Sequence, residues 1–323
     1  MKAICALPRK NAVTTEPPSA IDRFCLGTVK LGVPGYGFSA APVPPEFDAA
    51  AFLAQVEALG IRRFDTSPRY GASEARLGAY LHQRNANAPA PWVSSKIDGL
   101  TAGNPETPRA MLASVQASLA KLHLARLDVC YLHQNDTEII LDPWVQEGMQ
   151  VLKERDLIGQ SGVSLYSFEE CEQAIDCGRY DFVQVPVSVF DLSFYHRFIA
   201  SGSHAPVRFT GRSLLLQGIL ANRERIAREI RQGEEILAYL QALDRIASEG
   251  QMTTLELAFR FAFSLPGIDH FLVGTLAIPH LKANMAWAGL GIPPGMRAEI
   301  IEMASRKRAW TNPRNWPVRC QGA

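Results

Sequence analysis

Strong charge of either sign is missing from this 323-residue chain: 33 Lys and Arg stand against 32 Asp and Glu, a net charge of +1. That balance removes the electrostatic reason to expect nucleic acid or an anionic membrane surface as a partner. Long apolar runs are missing too. AICALP and GRSLLLQGIL fall far short of the roughly 20 residues that span a bilayer. The first residues lack an apolar stretch with a cleavage site, so a cytoplasmic location is the expectation. Cysteine is sparse and scattered, at Cys5, Cys25, Cys130, Cys171, Cys177 and Cys320. With no Cys-x-x-Cys pair and no histidines at zinc-finger spacing, neither a disulfide framework nor a metal site is expected. Cys130, inside LDVCYL, reads as a small buried hydrophobe.

Nucleotide signatures are absent as well. A doubly wound sheet calls for G-x-G-x-x-G between its first strand and helix. Here the glycines after the first strand fall in LGVPGYG, where a proline interrupts. No Walker A pattern occurs.

What the chain does have is an alternation of strand and helix. After a Pro-rich lead (1–20), strand candidates are RFCLGTV, RRFDTS, PWVSSKI, RLDVCYLH, IGQSGVS, DFVQVPV, VRFTGRSLLL and DHFLVGT. Helical segments fall between them. One is PRAMLASVQASLAKLHL, where Leu112, Val115, Leu119 and Leu122 recur at three- and four-residue steps and make one apolar face. A short helix is expected around 194–200. Eight such units predict a (β/α)8 TIM barrel, and the absence of a composition shift predicts a single domain over 1–323. The tail, 291–323, is placed near the barrel mouth.

Active sites of such barrels lie at the carboxyl ends of the strands. Asp65, Lys96 and His133 close the second, third and fourth strand candidates, and Tyr70 follows on the loop after the second. A phenol titrates near pH 10, and a neighbouring ammonium is expected to lower that value. Asp65 would keep Lys96 charged and oriented, and His133 would polarise the same carbonyl oxygen. Together they make an acid–base device for carbonyl chemistry. Each residue also has a plainer reading: Asp65 as a helix N-cap, Tyr70 as packing, Lys96 as a solvated strand end, and His133 as a structural histidine.

Over nearly its full length the chain resembles the aldo-keto reductases. The resemblance rests on LGTVKLG, FDTSPRYGASEARLG, VSSKI, LDVCYLH, GVSLYS, VQVPVSVFD, RSLLLQGIL and VGTLAIPHLKANMAWA, in that order. It implies a nicotinamide cofactor, NADP first with NAD or dual use as the alternative, and reversible reduction of an aldehyde or ketone. The substrate would be a small carbonyl compound, the basic Trp-containing tail being suited to an acidic or sugar-like one, and no oligomeric state is implied. The resemblance places the family's catalytic tetrad on Asp65, Tyr70, Lys96 and His133.

The resemblance also places cofactor contacts at Gly27, Thr28, Val29, Asp65, Ser164, Gln184, Arg212, Ser213, Leu214, Leu215, Gln217, Gly274, Thr275, His280 and Asn284. Departures fall here: Leu165 stands where an Asn is usual, and Arg212 where many relatives stack a tyrosine on the nicotinamide. Gly274, Thr275 and His280 replace the usual Lys-Ser and Arg around the 2′-phosphate, which predicts a weakened NADP preference. The pocket is expected to draw on QNDTEIILD and on the tail, with Trp310 and Trp316 among Arg306, Lys307, Arg308, Arg314 and Arg319. Those tryptophans could equally just cover barrel helices. Two other functions remain open: a cofactor-binding regulatory or redox-sensing barrel with slow turnover, and a Schiff-base lyase using Lys96.

Overall fold

The computed structural model describes residues 19–37, 47–85, 87–134, 136–202 and 206–316. Most of the Pro-rich lead, Cys5, Cys320 and Arg319 lie outside the described residues. Eight parallel strands close into a barrel in chain order. They are β1 (Phe24–Gly27), β2 (Arg63–Asp65), β3 (Trp92–Ile97), β4 (Leu127–Leu132), β5 (Ile158–Ser164), β6 (Phe182–Pro186), β7 (Arg208–Arg212) and β8 (His270–Val273). Helices cover the outside, and the expected (β/α)8 architecture is the observed one. No helix among the described residues is long and apolar enough to cross a membrane.

The two-residue period of a strand sorts each side chain inward or outward. In β3, Ser95 turns out to bond Glu74 of the helix Ser73–Gln83 at 2.7 Å, while Ser94 and Lys96 turn in. The barrel interior is graded. At the amino end His270 stacks on Phe182, with centroids 6.0 Å apart, and lies 4.9 Å from the Trp92 ring. Midway, Tyr131 shares a 3.2 Å hydrogen bond with Thr210. At the carboxyl end the inward residues are polar or charged: Asp65, Lys96, Ser164, Gln184 and Arg212.

Helix starts follow local chemistry. Asp142 accepts from the backbone of Trp144 and Val145, and Ser167 with Glu170 forms a complete capping box. Two expectations need correction. VRFTGRSLLL is not strand throughout, because β7 ends at Arg212. Ser213, Leu216 and Gln217 then take positive φ values of 60°, 43° and 56°, which no extended ladder tolerates. RFCLGTV likewise ends as strand at Gly27, and Val29–Gly32 is a single helical turn.

Candidate active site

β2 and β3 lie in register with Asp65 opposite Ser94, so the carboxylate faces the next inward residue along, Lys96. Lys96 Nζ donates to Asp65 Oδ1 at 2.5 Å and to the Thr66 carbonyl at 2.8 Å. The other oxygen, Oδ2, accepts from Ser94 Oγ at 2.9 Å and from Gln184 Nε2 at 3.3 Å. Both charged side chains are almost fully buried. A pair so buried and so fully bonded is costly to break, because the surviving charge has no solvent. Burial works against the Lys96 charge, but Asp65 and the Tyr70 hydroxyl outweigh it and raise its pKa overall. A Schiff-base nucleophile needs the opposite shift.

Tyr70 sits above this pair, with Lys96 Nζ 4.9 Å from its ring centroid. Its loop is fixed by two glycines. A Cβ on Gly32 would collide with the Tyr70 carbonyl and the Ser73 amide, and Gly71, at φ +51°, would meet the Gly32 carbonyl. Only bare backbone lets the loops after β1 and β2 nest this closely. The expected lowering of the Tyr70 pKa is not the net result. Burial pushes the phenol up, and the Lys96 charge opposes that only in part.

His133 follows β4, its amide donating to the Ile97 carbonyl at 2.8 Å. Its ring stands edge-on to Tyr70 at 5.9 Å. Nδ1 lies 3.3 Å from Ser67 Oγ and 3.5 Å from Asp98 Oδ2. Burial, then the charges of Lys96, Arg69, Arg212 and Arg314, lower its pKa to about 3. It is therefore neutral at physiological pH. Asp65, Tyr70, Lys96 and His133 are thus brought together as the sequence anticipated, and Asp65 serves no helix cap.

The expected cofactor residues are more divided. Ser164 Oγ donates to Gln184 Oε1 at 3.2 Å, which ties those two to Asp65. Thr28 is engaged inside the chain: its hydroxyl donates to the Asp65 carbonyl and accepts from Ser73 Oγ at 2.7 Å. Val29 opens the turn after β1. Leu165 is wholly buried, and its carbonyl accepts from Arg212 Nη2. Arg212 Nη1 also reaches Ser213 Oγ at 3.4 Å. Leu214 is packed in the core and Leu215 is half-buried against it. Gln217 bonds Tyr36. Gly274 and His280 are exposed, and Thr275 Oγ1 accepts from the Ala277 amide at 3.2 Å. Asn284, one turn beyond His280 in the helix Ile278–Ala288, is buried with no hydrogen-bond partner for its Oδ1 among the described residues.

Several neighbours were not singled out from sequence: Ser67, Ser94, Asp98, Tyr36 and Tyr166. For Tyr166 a signal existed, since it stands two residues past the end of β5. Trp310 and Trp316 are buried, Trp310 against Phe190 and Tyr239. They cover the barrel. The tail still reaches the mouth, because Arg314 Cζ lies 3.5 Å from the Tyr166 centroid.

A closed β/α barrel with a buried ion pair beneath a tyrosine and a neutral histidine at its carboxyl mouth defines a class of carbonyl-handling enzymes. The chain belongs to the aldo/keto reductase family, whose model matches residues 23–301. It is 24% identical to a D-threo-aldose 1-dehydrogenase from a Pseudomonas species, over 90% of this chain and 97% of that one. It is 27% identical to an L-galactose dehydrogenase from Arabidopsis thaliana, over 82% and 88%. A glycerol dehydrogenase from Gluconobacter oxydans has the same fold, with a TM-score of 0.69 at 18% identity over 88% and 93%. The chain is an NAD(P)-dependent oxidoreductase.

Proposed function

We propose that the chain reduces an aldehyde or ketone to its alcohol, and runs the reverse oxidation, with Tyr70 moving the hydroxyl proton. The nicotinamide, when bound, supplies or accepts the hydride. The observation that carries this reading is the ammonium of Lys96, locked to Asp65 at 2.5 Å and lying 4.9 Å from the Tyr70 ring. Burial keeps the Tyr70 phenol protonated at neutral pH, so it is a proton source. Lys96 stabilises the phenolate left behind, and Asp65 keeps Lys96 charged while it does so. Ser67 Oγ accepts from the Arg69 amide at 3.2 Å and lies 3.3 Å from His133 Nδ1, which holds the neutral ring in place. With its proton on Nε2, that ring would polarise the carbonyl oxygen.

We place the cofactor along the cofactor-binding residues named from the sequence. Gly27 and Gly274 fit it, because a Cβ at either would meet nothing among the described residues closer than 3.7 Å. Their bareness is not demanded by internal packing. The orphan Oδ1 of Asn284 fits an amino group of the adenine, and Gln184 and Ser164 fit the carboxamide. Near the 2′-phosphate, His280 is the only group of its three that can carry charge. NADP is the first choice, and comparing Kd for NADPH and NADH checks it: a ratio strongly favouring NADH overturns that choice.

The function itself is tested by NADPH oxidation against a panel of aldehydes, ketones and sugars, with Tyr70→Phe as control. Reduction by the wild type and its loss in the variant support the reading. Cofactor binding with no reduction above the variant's level would favour a regulatory barrel instead.

A further inference from the structure

Arg212, named among the cofactor contacts, poses a charge problem that the proposed proton transfer does not solve. It points into the barrel mouth from the end of β7 and is only 9% exposed. Among the described residues no carboxylate lies within ion-pairing distance of it, and its Nε has no hydrogen-bond partner. Its bonds go to neutral oxygens, the Leu165 carbonyl and Ser213 Oγ. The acids nearest the centre are already matched, Asp65 with Lys96 and Asp98 with Arg69. A buried guanidinium held by neutral acceptors alone is expensive unless an anion arrives from outside.

A second guanidinium stands beside it. Arg212 Cζ is 3.8 Å from the Tyr166 ring centroid and Arg314 Cζ is 3.5 Å from it. Two planar cations that close to one centroid would overlap on the same face, so the ring is held between them. The arrangement is built rather than accidental. Asn312 Oδ1 accepts from the Arg314 amide at 3.0 Å, and Trp316 Nε1 is tied to the Trp310 carbonyl at 2.8 Å. These contacts seat the tail segment that carries Arg314. Both arginines also help lower the His133 pKa, after burial and the charges of Lys96 and Arg69. The field of the two arginines lowers the Tyr166 pKa, Arg212 most, against the effect of burial.

We infer that Arg212 and Arg314, stacked on Tyr166, form a recognition site for an oxyanion carried by the carbonyl substrate, a carboxylate or a phosphate. The substrate class is then an anionic aldehyde or ketone, such as a uronic acid or a phosphorylated sugar, rather than a neutral one. A planar guanidinium fork suits both groups and pairs with them through charge-assisted hydrogen bonds. The inference rests on the oxidoreductase reading for the carbonyl alone.

Binding without turnover separates the two. Calorimetry on the full chain, with and without NADPH, would compare 4-(hydroxymethyl)benzoate, its methyl ester and 4-(hydroxymethyl)phenyl phosphate. The expected result is that one or both anions bind at least about tenfold tighter than the ester. That ratio should fall towards one in Arg212→Gln and in Arg314→Gln. Arg212→Lys, which keeps the charge but loses the fork, should give an intermediate ratio and guards against misfolding of the glutamine variant. A wild-type ratio near one, or a ratio that survives both glutamine substitutions, overturns the site. So does weakened NADPH binding in both variants with an unchanged anion ratio, which would make the cofactor's own phosphates the partner. An anion preference together with no reduction of 4-formylbenzoate or 4-formylphenyl phosphate would keep the site and retire the reductase reading.

Discussion

The two sides of the barrel mouth differ in how much of their chemistry is already satisfied. On the β2–β4 side, every arm of the Asp65–Lys96 pair meets a partner, and the loop bearing Tyr70 is locked by the Gly32–Gly71 contact. On the β5–β8 side, Asn284 Oδ1 and Arg212 Nε are buried with no hydrogen-bond partner among the described residues, whereas Asp98 Oδ2, likewise without a hydrogen bond on the β2–β4 side, is at least paired with the Arg69 charge. The backbone there runs through three non-glycine residues at positive φ. Buried polar atoms without partners and strained backbone persist where something other than the chain repays them. The comparison teaches that proton-transfer groups are assembled in advance, while the opposite side is completed by what it binds.

The sharpest way to break this comparison is Tyr70→Phe. It should lower kcat by about 10²–10⁴-fold while leaving the NADPH Kd nearly unchanged. A similar loss in both quantities would mean that the two sides are not separate. Next in size is Lys96→Met, which strands the Asp65 charge in the interior and should cost about 3–5 kcal/mol in urea unfolding. Arg212→Met strands no charge and should cost clearly less. Equal costs would erase the distinction. Asn284→Leu exchanges an unsatisfied amide for an apolar group of like size, so the unliganded chain should be no less stable. Its NADPH Kd should rise about tenfold, the worth of one good hydrogen bond.

A further effect concerns pH and reaches from the mouth to the amino end of the barrel. His133 and His270 each titrate near 3 in the fold, chiefly through burial, against an ordinary value near 6.5. Between those values the unfolded chain binds more protons than the folded one. Stability therefore rises with pH through that window and is lost as pH falls from 6.5 towards 3. Replacing His270 by Gln should flatten the slope by about 1.4 kcal/mol per pH unit near pH 4–6. An unchanged slope by chemical denaturation would show that His270 is charged in the fold.

The barrel and its proton-transfer side were legible because both are local. Asp65, Lys96 and His133 close or directly follow apolar runs that read as strands, so their convergence follows from the strand order alone. The end of β7 was not legible, since VRFTGRSLLL reads as one apolar strand and only the turn at Ser213 says otherwise. The Tyr70 acidity was misjudged in sign, because spacing shows the ammonium and hides the burial that outweighs it. The Arg212–Tyr166–Arg314 stack joins a strand end, a loop and the tail, and nothing in one segment announces the others. Leu165 was visible as a departure, but not that its carbonyl would anchor Arg212.

The central claim is that β2–β4 is complete and β5–β8 awaits its ligand. Amide hydrogen exchange of the full chain with and without NADPH tests it most directly. The account expects added protection over 212–218 and 274–284, with exchange at 65–70 and 94–97 unchanged. New protection concentrated at 65–70 and 94–97, with 212–218 and 274–284 unaffected, would contradict it.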